Sequence, residues 1–138
     1  MTMREILFRG KHMSGGVWCE GNLAVRKDGF CIITPDDTPC GVYGQVDPDT
    51  VGQFTGLIDK NGTKIFEGDV VKRCFTLTRG PNKESRETQV GVVWYDNVTC
   101  GYLIRGACNL RRQWPGDTIE VIGNIHDNPE LMEGERHG

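Results

Sequence analysis

The chain has 138 residues, 37% hydrophobic and 25% charged, with a formal net charge of −3. That length suits one domain or two small lobes sharing a core, and the composition excludes disordered and membrane classes. The acidic balance argues against broad nucleic-acid affinity, and no apolar run approaches the ~20 residues of a membrane span.

The opening Met1-Thr2-Met3-Arg4-Glu5 has no signal-peptide core, so a cytoplasmic protein is expected. The six cysteines, Cys19, Cys31, Cys40, Cys74, Cys100 and Cys108, contain no Cys-x-x-Cys pair, which argues against a zinc ribbon or a redox dithiol. In a reducing compartment their thiols stay free. Cys31 and Cys74 sit in apolar, strand-like runs and are expected to act as small core hydrophobes.

In chain order, residues 3–9 alternate as a first strand, and Gly10 to Gly16 reads as a loop. Val17-Trp18-Cys19 is expected to turn at Glu20-Gly21-Asn22 into Leu23-Ala24-Val25-Arg26. Lys27-Asp28-Gly29 is a hairpin signal from which Phe30-Cys31-Ile32-Ile33 returns. These pieces make a small meander. After the proline-containing loop from Pro35 to Gly44, Asp47 caps one helical turn with Pro48 in its first position.

The clearest local code lies between Val51 and Val71. Leu57-Ile58 and Ile65-Phe66 flank Asp59-Lys60-Asn61-Gly62, a turn in which Asp accepts a nearby backbone N–H and Gly takes a positive φ. A second bend at Glu67-Gly68-Asp69 leads into Val70-Val71. Further strands are expected near 52–58, 64–78, 85–95, 100–105 and 118–125, with 70–78 and 85–95 forming a long hairpin over the loop Arg79-Gly80-Pro81-Asn82-Lys83-Glu84 and a polar crossover from Gly106 to Gly116. Asn128-Pro129-Glu130-Leu131 signals a short C-terminal helical turn.

The fold class expected is therefore mainly β: a small SH3-like or OB-like, partly open barrel with an N-terminal meander. The meander is read over residues 1–45, the barrel-like lobe over 46–133 and a loose tail over 134–138, all as a single domain.

Three separated blocks carry a resemblance. They are Met3-Arg4-Glu5-Ile6-Leu7-Phe8-Arg9-Gly10; the central run from Val46 through Thr55-Gly56-Leu57, Asp59-Lys60-Asn61-Gly62 and Ile65-Phe66-Glu67-Gly68-Asp69-Val70-Val71; and Ile119 to Leu131, with Gly123, Asn124 and Pro129. In this order they resemble the YopX family of bacteriophage and prophage proteins. The resemblance implies a mostly β fold, a phage or prophage origin, a bacterial cytoplasmic setting and homo-oligomeric assembly. It implies no activity. Thr55, Gly56, Leu57, Asp59, Asn61, Gly62, Glu67, Gly68, Asp69, Gly123, Asn124 and Pro129 form the structural motif it identifies.

Candidate chemistry is sparse. Asp47, Asp49, Asp59, Glu67 and Asp69 could in principle ligate a cation or share a proton, but each has a local use as a cap or turn residue. Leu57 stands where a calcium loop needs its first ligand. His12, His126 and His137 have no metal-ligand spacing, and no phosphate loop follows Gly52 or Gly56. No catalytic, cofactor-binding or metal-ligating residue is assigned.

Charge is nonetheless uneven. Lys72 to Gly116 holds eight basic and three acidic residues, while Asp117 onward holds six acids and one arginine. Lys72, Arg73, Arg105, Arg111, Arg112 and Trp114 form the candidate nucleic-acid contact set, with a solvated face as the simpler reading. The function expected is non-enzymatic binding of a macromolecule, a host or phage partner or a second copy. A nucleic-acid-binding barrel is the alternative, and a metal-dependent enzyme on residues 47–69 is less favoured.

Overall fold

The computed structural model describes residues 5–35, 44–106, 111–112 and 118–131, with the backbone alone for Phe75, Arg111 and Arg112. Among these the protein is mainly β, in antiparallel sheets. Two compact units divide the chain at Gly56 and Leu57.

In the first unit, β1 (Phe8–Lys11), β2 (Trp18–Val25), β3 (Cys31–Thr34), β4 (Gly44–Val46) and β5 (Gly52–Ile58) lie in the order β4-β3-β2-β1-β5. β1 starts later than the alternation suggested and includes Gly10. A Cβ on Gly10 would stand 2.9 Å from Val46 Cγ2, so the glycine lets β1 approach β4 closely.

No turn forms at Glu20-Gly21-Asn22. β2 runs straight through, because Gly21 faces Phe8 of β1 while Asn22 already pairs with Thr34 of β3. The Asp28-Gly29 hairpin does form, with Gly29 at φ +92° and the Arg26 N–H donating to the Phe30 carbonyl at 2.8 Å. Buried Cys31, Ile33 and Val46 make the core of this unit, with Phe8, Cys19, Leu23 and Val51 packed on them. Asp47 accepts from the Asp49 N–H and so starts the 3-10 turn Pro48–Thr50. The Thr50 hydroxyl accepts from the Lys11 N–H at 2.8 Å.

β5 continues into the second unit and turns back as β6 (Lys64–Phe66). The sheet of this unit contains β7 (Asp69–Thr78), β8 (Glu84–Asp96), β9 (Gly101–Gly106), β10 (Arg111–Arg112) and β11 (Ile119–Asn124), in the order β10-β9-β8-β7-β11. Its core is Ile65, Val71, Val93, Ile104 and Ile119, with Val121 packed against it. Burying five such side chains contributes on the order of 10 kcal/mol before entropy is charged against it.

This sheet has two edge strands, β10 and β11, and no closed barrel forms among the described residues. β10 falls inside the stretch expected to be a polar crossover, with Arg111 opposite Arg105 and Arg112 opposite Ile104. The continuation of the C-terminal turn beyond Leu131, the tail 134–138 and most of the loop at 35–44 lie outside the described residues. Cys31 is buried as expected, but Cys74 is exposed, so it is not a core residue.

Candidate functional site

The motif residues of the second unit prove to be its joints. Asp59 is 4% exposed, and its carboxylate accepts three backbone N–H groups: Asn61 at 2.8 Å and Thr63 at 2.9 Å on Oδ1, and Val121 at 2.9 Å on Oδ2. The Lys60 N–H donates to the Ile119 carbonyl at 3.0 Å, so the whole turn is fastened to β11. Burial pushes the Asp59 carboxyl up, but the N–H groups of Val121, Thr63 and Asn61, together with Lys60, outweigh it and hold the group below its ordinary value. Gly62 closes the turn at φ +84°.

The Glu67-Gly68-Asp69 bend is fastened just as firmly. Gly68, at φ +88°, donates its N–H to the Val93 carbonyl at 2.8 Å and accepts from the Ile125 N–H at 2.9 Å. Asp69, 1% exposed, accepts from the Phe66 N–H at 2.7 Å. At the far end, Asn124 Oδ1 accepts from the N–H groups of His126 and Asp127. Gly123 leaves room for this knot, since a Cβ there would stand 2.5 Å from Asn128 Oδ1. Gly56, at φ +89°, sits within β5 between Thr55 and the half-exposed Leu57, and Pro129 is an exposed turn residue.

The acidic stretch is therefore shared out rather than pooled. Asp47 and Asp49 serve the 3-10 turn, whereas Asp59 and Asp69 bind separate sets of backbone N–H groups. Among the described residues no three His, Cys, Asp or Glu side chains are grouped to hold a metal ion. One buried acid escaped the sequence reading: Asp96, 3% exposed, which takes both the N–H and the hydroxyl of Thr99. The Asp-x-x-Thr spacing was its signal.

The basic set is divided too. Consecutive strand residues face opposite sides, so Lys72 and Arg73 cannot share a surface. Arg73 turns to Gln89, donating from Nε and Nη2 at 3.1 and 2.9 Å. Lys72 lies 3.7 Å from Glu120, which also meets Lys60 at 3.8 Å. By register Arg105 shares the Lys72 face, opposite Val92, and its guanidinium stands 5.8 Å from the Trp94 ring centroid. The structure thus brings Lys72, Trp94 and Arg105 to one face. Trp114 lies outside the described residues.

The feature that no motif signalled is an arm. β7 pairs with β11 only as far as Arg73, and β8 pairs with β9 only from Gly91 onward. Beyond those points, among the described residues, β7 and β8 pair only with each other, from Cys74–Thr88 out to Thr78–Glu84. The tip is a tight loop in which the Arg79 N–H donates to the Lys83 carbonyl at 2.9 Å and Asn82 takes φ +62°. Two-stranded ribbons are marginal alone, and an unpaired edge is a template for another strand.

The family model described as YopX protein matches residues 15–133. This chain belongs to the YopX family. The YopX match covers the turn blocks built around Asp59, Gly68 and Asn124, while the opening block at residues 3–10 precedes it. Among solved structures, this YopX chain is similar to protein EF1440 from Enterococcus faecalis. The TM-score is 0.56 and the identity 22%, over 94% of this chain and 99% of that one, a likeness of fold. A search of curated proteins finds no match.

Proposed function

We propose that this YopX-family chain is a non-enzymatic binding and assembly module of phage or prophage origin, working in the bacterial cytoplasm and associating with copies of itself. The observation that carries this is the two-stranded arm of residues 74–90, whose outer edges meet no described strand. The base of the arm is held by buried side chains and by the joints at Asp59 and Gly68, so the projecting ribbon has a rigid mount. The second unit is read as a partly open relative of SH3-like and OB-like barrels, curled by the Gly68 bend and by the bulge between Val121 and Gly123.

The test is to shorten the arm. Phe75 and Glu87 face each other, so residues 76–86 can be replaced by an Asn-Gly turn that joins them. Light scattering is expected to give a mass of several subunits for the parent and a lower mass for the shortened chain. Equal masses, or turnover of phosphoesters, nucleotides or peptides by the purified protein, would refute this function.

Nucleic-acid binding is the second reading, favoured by Arg105 standing over Trp94 on the Lys72 face. It calls for gel-shift retention that weakens with salt and falls in Arg105→Ala. No retention at low salt would end it.

A further inference from the structure

We propose that the arm edge of β8 pairs with the same edge of a second copy, antiparallel about a two-fold axis centred on Ser85. This rests on the assembly role proposed above and adds its surface and register. Three observations meet here.

The edge comes first. β8 is paired to β7 from Glu84 to Val92, but to β9 only from Gly91. On the β9 side, residues 84–90 meet no described strand.

The second observation is the direction of the backbone groups. At the tip the Lys83 carbonyl accepts from the Arg79 N–H, so it points toward β7. Antiparallel ladders alternate, so the N–H and C=O of Glu84, Arg86, Thr88 and Val90 point the other way. Those are the groups another strand would take.

The third is the order of charges. Lys83, Glu84, Ser85 and Arg86 are exposed and Glu87 half-buried. Lys83-Glu84-Ser85-Arg86-Glu87 is its own complement when read against itself in reverse. A two-fold axis through a sheet sets one residue opposite itself. With Ser85 at that point, Glu84 faces Arg86 of the second copy and Lys83 faces its Glu87. Symmetry repeats both pairs, giving four opposite-charge contacts.

Neighbouring registers do not achieve this. Centring on Glu84, Arg86 or Glu87 sets a charge against its own like. Charged edges commonly keep strands apart, but this order repels strangers and accepts itself. The contact is isologous, so it closes as a dimer instead of growing along that edge.

Two charge reversals test the register. Arg86→Glu and Glu84→Arg each turn two attractive contacts into repulsive ones, and each should weaken self-association at least about tenfold by analytical ultracentrifugation. An equimolar mixture of the two variants restores all the complementary contacts and should return the dimer, which also shows that both variants are folded. Ser85→Cys, made with the exposed Cys74 and Cys100 changed to Ser, should form a disulfide across the axis under mild oxidation. The facing Cα atoms would be ~4.5 Å apart, within reach of a disulfide. Mass spectrometry of the joined peptide then reads the register directly.

A parent that stays monomeric up to about 100 μM overturns the proposal, as does unchanged association in both reversals. If arm shortening lowers the mass while the reversals do not, the arm still assembles and this register is wrong. If neither lowers it, both readings fall.

Discussion

Asp59 offers the sharpest test of how the second unit is held. Asp59→Ala removes the acceptor for three N–H groups, at 2.8, 2.9 and 2.9 Å. Asn61 and Thr63 lie in an exposed turn, where water can replace the carboxylate, so their share of the loss is small. Val121 sits half-buried in β11, where water replaces the carboxylate less readily, so its N–H carries most of the loss. Bonds to a charged acceptor are worth ~1.5–3 kcal/mol each before that discount, which puts the cost near 3 kcal/mol. For a unit of this size the melting temperature should fall by about 12 °C or more.

Asp59→Asn keeps the shape but must point an amide nitrogen at one of the three donors, so it should lose about 2 kcal/mol. The pH dependence follows in sign. The folded carboxyl lies below its ordinary value near 3.8, so its contribution is complete above that value and fades as pH falls through the lower, folded one. Melting curves of parent and Asp59→Asn should therefore differ equally at about pH 7 and pH 5, and the gap should narrow as pH falls below 3.8. Equal stability at neutral pH, or a gap indifferent to acid, would show that the carboxylate does not fasten the turn to β11.

Two glycines test different causes of the same requirement. At Gly62 nothing lies within 4 Å of an added Cβ, so Gly62→Val meets only the strain of φ +84°. It should cost on the order of 1 kcal/mol or more by urea unfolding; an unchanged midpoint would deny the left-handed turn. At Gly123 the backbone is permissive but the space is taken, with Asn128 Oδ1 at 2.5 Å and Leu131 Cδ1 at 2.9 Å from the Cβ position. Gly123→Ala should lose about 1–3 kcal/mol, and a melting curve matching the parent's would mean that the Asn128 side chain moves aside freely.

Local codes were legible where a single turn decides the structure. Asp28-Gly29, Asp47-Pro48 and Asp59 to Gly62 each close on hydrogen-bond partners within a few residues, whatever else they bind, and each turns as its composition directs. Gly21 shows where such reasoning ends. Its neighbours looked like a turn, yet it occupies a strand between two partners far along the chain.

The same limit hid the division of the basic residues. Their density from Lys72 to Gly116 is a property of sequence, but the pleat separates Lys72 from Arg73, and Glu120 arrives from another strand. Cys74 looked apolar by its neighbours and became exposed because β7 outruns β11. The arm was invisible for that reason as well. Two long facing strands were readable as a hairpin, but not where their outer neighbours would stop.

The position of β7 has a consequence for how the chain is made. Its partner on one side, β8, follows directly, whereas β11 on the other side is synthesised only after residues 79–118. Until then one flank of β7 is bare, and the Asp59 carboxylate, 62 residues before its Val121 donor, is wrapped in water. Closure on such distant contacts is slow and leaves sticky backbone on show meanwhile. The arrival of the final strand thus both seals that flank and dries the acid, so a nascent chain stalled short of β11 is the form most prone to clump.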